Sequence, residues 1–418
     1  MIQEIFIHAS QNETRVAILE NGVTQAFHVE RATQHGGVGS VGSVYWGRIT
    51  RVLPGMQSAF VDIGAERTAF LHVADLWQAH TKKTSHDARA VQDHQAPPLT
   101  LIEQTVFEGQ SILVQIAKES VGEKGAQLST KISLAGRYLV FLPQDSHIGI
   151  SKKMGDEAAR ITLKARLNAA LPTGFSQGLI VRTQAASADI AALAQDVHYL
   201  TQLWADILAA TQTSAAPALL HQDLPLAQRV LRDVASDATQ RVRVEGTACH
   251  QALLQFAQRY MPTLAPKIEA YSGDRPLFEM AQIDEAWNQA LARRVNLKSG
   301  GYLVFDTTEA MTVVDVNTGA YVGAKNFADT ILHTNLEAAQ TVAQQLRLRN
   351  LSGIIVVDFI DMIENPHQQQ VQNALSLAVS NDPVATQVHG FTKLGLMEIT
   401  RTRTRASLAQ MRNPAPII

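Results

Sequence analysis

The sequence predicts a multidomain α/β (α+β) protein. At 418 residues it is longer than an ordinary single domain and suits two to four. Runs with the period-two alternation of strands recur along it, separated by stretches of helical periodicity. From about 38 to 75 the strands become short and glycine-punctuated, the pattern of a small closed β-barrel.

Composition narrows the classes. Apolar residues make up 46% and charged residues 18%, the balance of a globular chain. With 36 basic against 38 acidic side chains the net charge is −2, so any nucleic-acid surface must be local. Cys249 stands alone, which excludes a disulfide framework and a cysteine-rich zinc site and suits a reducing compartment. Met1-Ile-Gln-Glu-Ile-Phe-Ile-His8 does not read as a signal peptide, and no apolar run approaches the ~18 residues of a membrane span. A cytoplasmic protein with no membrane partner is expected.

Taken in order, residues 2–30 read as three strands with a hairpin signal at Asn21-Gly22. They are too few to stand alone and must join a sheet formed elsewhere. Val41 to Val73 supplies the barrel strands, with Phe60 and Phe70 as either core residues or stacking platforms for bases, and Arg48, Arg51 or Lys124 near phosphates. Residues 77–100 are polar, and His80, His86 and His94 lack zinc-ligand spacing. A strand returns at 111–118. Residues 131–185 hold a strand, a helix over about 156–170 and Gly178-Leu-Ile-Val-Arg-Thr183. The Arg182-Thr183 pair leaving that strand is either a surface salt-bridge arginine or a forked donor to a phosphate. Residues 186–260 read as mostly helical, and another helix covers 283–294.

The stretch from Gly301 to Met362 holds the chemistry. Met311-Thr-Val-Val-Asp-Val-Asn317 and Ile354-Ile-Val-Val-Asp-Phe-Ile-Asp361 are apolar strands, each carrying a carboxylate where it leaves the core. Period two puts Val313, Asp315 and Asn317 on one face, and Ile354, Val356, Asp358 and Ile360 on one face of the other strand. As neighbours, the strands would converge Asp315 and Asp358 into a pair suited to a hard divalent cation. An Asp at a strand end also serves as a turn or cap residue. Between the strands lies an amphipathic helix with a capping-box pattern at Thr334-x-x-Glu337. The basic tail, Arg401-Thr-Arg-Thr-Arg405, reads as a solvated face or a phosphate-holding strip.

Val313-Val-Asp-Val-Asn-Thr-Gly319, Asn335-Leu-Glu-Ala-Ala, Gln345-Leu-Arg-Leu-Arg-Asn-Leu-Ser-Gly353 and Val357-Asp-Phe-Ile-Asp-Met362 together resemble the ribonuclease E/G endoribonucleases, and Ala59-Phe-Val-Asp-Ile-Gly-Ala-Glu-Arg67 resembles their S1 domain. The resemblance runs over nearly the whole chain. It implies a split RNase H-like subdomain (1–38 and 228–290), an inserted S1 (OB-fold) barrel (39–130), a 5′-sensor region (131–227) and a DNase I-like catalytic subdomain (291–418). It implies Mg²⁺, or Mn²⁺ in its place, on Asp315 and Asp358, with Asn317 as their catalytic companion. Phe60, Phe70 and Lys124 match the RNA-binding residues, and Gly136, Val140, Arg182 and Thr183 match the pocket that reads a 5′-monophosphate. The implied substrate is single-stranded RNA, in rRNA precursors and mRNA, cut in rRNA 5′-end maturation and mRNA decay.

Two departures follow. The sequence ends at Asn413-Pro-Ala-Pro-Ile-Ile418 without the family's Cys-Pro-x-Cys zinc link and small domain, so no zinc site is expected in this chain and a homodimer would be weakened. Ala385 stands where the family carries a basic residue. The rival class is a non-catalytic S1-type RNA-binding protein, which would bind RNA without cation-dependent cleavage.

Overall fold

The computed structural model describes residues 2–31, 40–77, 101–118, 125–150, 154, 156–319, 327–362, 365–380, 382–403 and 405–412. Lys124, His80, His86 and His94 lie outside them. The chain forms two compact units, Met1–Glu30 with Asp237–Pro416, and Arg31–Ser236.

In the Arg31–Ser236 unit, five strands close into a barrel. Val44–Leu53, Ser58–Asp62, Ala69–His72, Gln127–Ser129 and Ser111–Lys118 pair in that order, and the last returns to the first. Ile49, Val61, Leu71, Val114 and Leu128 fill the interior. Gly47 lines the barrel because a Cβ there would meet Val61 Cγ1 at 2.6 Å. The same unit holds a four-stranded sheet, Ile148–Ile150, Gly178–Val181, Leu139–Leu142 and Leu134–Ala135. Helices Glu157–Ala170 and Ile190–Thr213 bury Leu163, Leu167, Leu193 and Leu200 in the core they share with that sheet. Asp156 and Asp189 cap the two helices by accepting the N–H groups of Ala159 and Ala192.

The other unit opens with a sheet ordered Ile268–Ala270, Thr239–Glu245, Gln3–Ala9, Glu13–Glu20, Val23–Arg31. Gln3–Ala9 is central, parallel to Thr239–Glu245 and antiparallel to Glu13–Glu20. Within the mostly helical stretch 186–260, the connection around Pro217 holds the strand Ala218–His221, and Thr239–Glu245 is a further strand that the helical reading did not include. The alternate burial of Val242 and Val244 sets the phase of the second, so its period-two pattern outweighs the helical stretches on either side.

A second sheet runs Arg294–Asn296, Tyr302–Thr307, Met311–Asn317, Gly353–Asp358, Met397–Arg401, Thr386–Phe391. Helices Phe327–Leu348 and Asn365–Ser380 share its core, in which Val314, Val316, Ile355 and Val357 meet Val342, Leu346 and Leu375. The alternate residues face the other way, leaving Met311, Val313 and Ile354 exposed.

Two local expectations are corrected here. The helix begins at Phe327, so Thr334 is no cap: it is fully buried and its hydroxyl donates back to the Thr330 carbonyl at 2.9 Å. Glu337 instead accepts the backbone N–H groups of Lys298 and Ser299. In the tail, Arg401 is 4% exposed and paired with buried Asp382 at 2.8 Å, so it is a core residue and no part of a phosphate-holding strip. Among the described residues no helix is long and apolar enough to cross a membrane.

Candidate active site

Met311–Asn317 and Gly353–Asp358 run parallel, in a register that sets Asp315 directly opposite Asp358. Both carboxylates are exposed, on the face that the helices leave open. The Asn317 amide donates to Asp315 Oδ2 at 2.8 Å and fixes that carboxylate's rotation. Partial burial, then the charges of Asp315 and Asp361, hold the Asp358 carboxyl above its ordinary range. Two like charges held together by strand pairing are a destabilising arrangement that a cation relieves.

The donors suit a hard cation. Mg²⁺ keeps several waters and binds through one or two carboxylates plus substrate phosphates, which is what this pair offers. Among the described residues no group of three or more His, Cys, Asp or Glu gathers as a closed metal cage.

Sequence reasoning missed the support beneath Asp358. Asn335 is fully buried on the helix. Its side chain donates to the Ile360 carbonyl at 2.8 Å and accepts the Ile360 N–H at 3.1 Å, pinning the chain between Asp358 and Asp361. Its quoted motif was legible, but its partner 25 residues away was not. Asn335→Ala is expected to cost about 1–3 kcal/mol in denaturant unfolding, by orphaning buried backbone groups. It should also raise the Mg²⁺ concentration needed to half-saturate the carboxylate pair in a binding titration. An unchanged Mg²⁺ dependence would remove Asn335 from the support of the site.

On the barrel, Arg51, Phe60 and Phe70 lie in one cross-strand row. The phenylalanine rings sit edge to face with centroids 6.4 Å apart, and both residues are half-buried. The His72 ring lies 6.4 Å from that of Phe70 at 32° and extends the surface. Neither phenylalanine belongs to the cluster that fills the barrel interior.

Gly136 and Val140 belong to one tight hairpin. The Gly136 N–H donates to the Leu139 carbonyl, and Val140 sits opposite Ala135 and Ile180. Arg182 joins them: its N–H donates to Tyr138 O, and its Nη1 to Gly136 O at 2.9 Å. Its Nη2 meets Asp233 Oδ1 at 2.7 Å, so the expected fork is engaged within the fold. Thr183 follows, exposed. Asp196 underlies the hairpin and was not foreseen. It accepts the N–H groups of Arg137, Tyr138 and Leu139, and burial pushes its carboxyl up. Gly136 is required there, because a Cβ would sit 2.5 Å from the Asp196 carboxylate.

The geometry thus comprises a surface carboxylate pair on an open mixed sheet and two half-buried aromatics on a barrel. Comparison with known proteins sharpens that. Residues 133–404 match the model of the ribonuclease E/G family. Ribonuclease G of Escherichia coli (strain K12) is 44% identical over 98% of this chain and 81% of its own length. Ribonuclease G of Haemophilus influenzae is 42% identical over 97% and 80%. Ribonuclease E of E. coli is 34% identical over 98% of the chain and 38% of its own length. The chain belongs to the ribonuclease E/G family. Its identity to these ribonuclease G chains, 42–44%, exceeds the 34% to ribonuclease E of E. coli.

Proposed function

We propose that this member of an endoribonuclease family cuts single-stranded RNA at Asp315 and Asp358 with the aid of Mg²⁺, or Mn²⁺ in its place. The supporting observation is the register that opposes the two carboxylates on an open face, with Asn317 bonded to one of them. Asp315 and Asp358 would hold the cation, which when bound would polarise an attacking water and offset charge on the phosphate. Asp315 and Asp358 hold the charge in place. Asn317 keeps the Asp315 carboxylate turned, and the open sheet face leaves room for an extended strand. The products would carry 5′-phosphate and 3′-hydroxyl ends.

In the same reading the barrel is an S1 domain that grips RNA through Phe60 and Phe70, with Lys124 as a phosphate contact. The Gly136–Arg182 hairpin region is a 5′-sensor that favours monophosphorylated ends through Gly136, Val140, Arg182 and Thr183. The two sheets of the other unit correspond to RNase H-like and DNase I-like subdomains. Cytoplasmic rRNA 5′-end maturation and mRNA decay are the roles this implies.

The direct test is cleavage of a 5′-monophosphorylated single-stranded oligoribonucleotide with and without Mg²⁺. Binding with no cation-dependent cleavage would favour the S1-type binding protein instead. For the sensor, Arg182→Ala should slow cutting of 5′-monophosphorylated RNA about tenfold while sparing 5′-hydroxyl RNA, the scale of a lost charge-assisted hydrogen bond. Equal slowing of both substrates would remove that role from Arg182.

A further inference from the structure

The open face of the catalytic sheet carries more than the carboxylates. Strand register sets out two adjacent cross-strand rows. One holds Arg294, Val304, Asp315 and Asp358. The next holds Asn296, Tyr302 and Asn317. Residues at paired positions, and at every second position along a strand, share a face. Arg294 and Tyr302 therefore stand on the same side as Asp315 and Asn317. At the usual strand spacing Arg294 is two strands from Asp315, roughly 10 Å between Cα atoms.

The two side chains form a built pair. The Arg294 guanidinium carbon lies 3.8 Å above the centre of the Tyr302 ring. Arg294 Nε donates to Asn296 Oδ1 at 3.0 Å, fixing the plane of the guanidinium. Arg294 is exposed and Tyr302 half-buried, and neither forms an ion pair among the described residues. The neighbouring Arg293 differs, since its guanidinium is taken by Asp306 at 2.6 and 2.7 Å. An arginine held flat on an aromatic ring offers a stacking plane to a base and N–H groups to a phosphate.

We propose that Arg294 and Tyr302 form a nucleotide subsite that holds the RNA residue flanking the scissile phosphate, by stacking on its base and pairing with its phosphate. Single-stranded RNA is the occupant because the face is continuous with the carboxylate pair, and because the pair combines the two chemistries that unpaired nucleotides present. The subsite rests on the assignment of Asp315 and Asp358 as the cutting centre. It fixes the strand's position relative to those residues and so influences which phosphodiester is presented.

The test uses the full chain, with Arg294→Gln, Tyr302→Leu and Tyr302→Phe each made alone and again with Asp315→Asn. Binding of a single-stranded oligoribonucleotide is measured in the Asp315→Asn background, and KM and kcat in the active one. Arg294→Gln and Tyr302→Leu should each weaken binding and raise KM about tenfold, the scale of one lost base stack. Both should shift the distribution of cut sites, with kcat little changed. Tyr302→Phe, which keeps the ring, should stay within about twofold. Unchanged binding in both Arg294→Gln and Tyr302→Leu overturns the subsite, as does a loss in Tyr302→Phe equal to that in Tyr302→Leu. Arg294 is exposed on a short outer strand, so its variant reports on binding even if Tyr302→Leu fails to fold. If Asp315→Asn alone leaves cleavage intact, the cutting centre has been misassigned, an outcome read independently of the subsite variants.

Discussion

Asp315→Asn and Asp358→Asn should each lower RNA cleavage about 1,000-fold or more, the scale expected when a metal-held charge is lost from a phosphoryl-transfer site. RNA affinity should change little, because the proposed gripping surfaces lie elsewhere. Stability supplies a second sign. The two carboxylates repel in the cation-free protein, and their repulsion helps hold the Asp358 carboxyl above its ordinary range. Removing either charge removes that repulsion, so the thermal midpoint without Mg²⁺ should hold or rise. Residues kept for structure would behave in the opposite way, with a lower midpoint. Full cleavage by both variants would refute the assignment.

The second large effect is on folding. Arg401 and Asp382 have side chains only 3% and 2% exposed. Arg401 donates to both Asp382 oxygens, to Asn350 Oδ1 and to the Leu351 carbonyl. Asp382 also accepts from the Val384 N–H and the Thr386 hydroxyl. Removing one partner strands the other charge in the core, so Arg401→Met or Asp382→Ala should cost about 3–5 kcal/mol in urea unfolding. The folded fraction should bind RNA with an unchanged salt dependence. A phosphate-contacting Arg401 would give the reverse, with stability intact and the slope of log affinity against log salt reduced by about one.

That contrast shows where sequence reading ends. The faces of Met311–Asn317 and Gly353–Asp358 were legible because each is fixed by the strand's own alternation, and the pairing of Asp315 with Asp358 follows once the strands are neighbours. Arg401 was misread because its partner lies 19 residues upstream and a charge run looks the same whether solvated or buried. Asn335 and Asp196 escaped for the same reason. Each polar side chain serves the backbone of a distant segment, and local pattern carries no record of that. Thr334 failed differently. Its capping pattern is real in sequence, but the helix starts earlier and Glu337 finds partners at Lys298 and Ser299. Phe60 and Phe70 had two readings, and both residues stand half-buried outside the cluster that fills the barrel.

The central place of Gln3–Ala9 bears on how the chain is made. Its hairpin neighbour, Glu13–Glu20, follows at once, but its parallel neighbour, Thr239–Glu245, comes after the entire inserted unit. At about 5–20 residues per second, a ribosome needs on the order of 10–50 s to deliver that partner. Until then one edge of the first strand is unpaired, and Ile5 and Ile7, fully buried in the finished protein, lack their cross-strand partners Val242 and Val244. The Arg31–Ser236 unit contains every strand it pairs with and can complete itself during the wait. Assembly from the inside of the sequence outward is therefore expected, with the N-terminal strands as the aggregation-exposed segment until synthesis has passed residue 245.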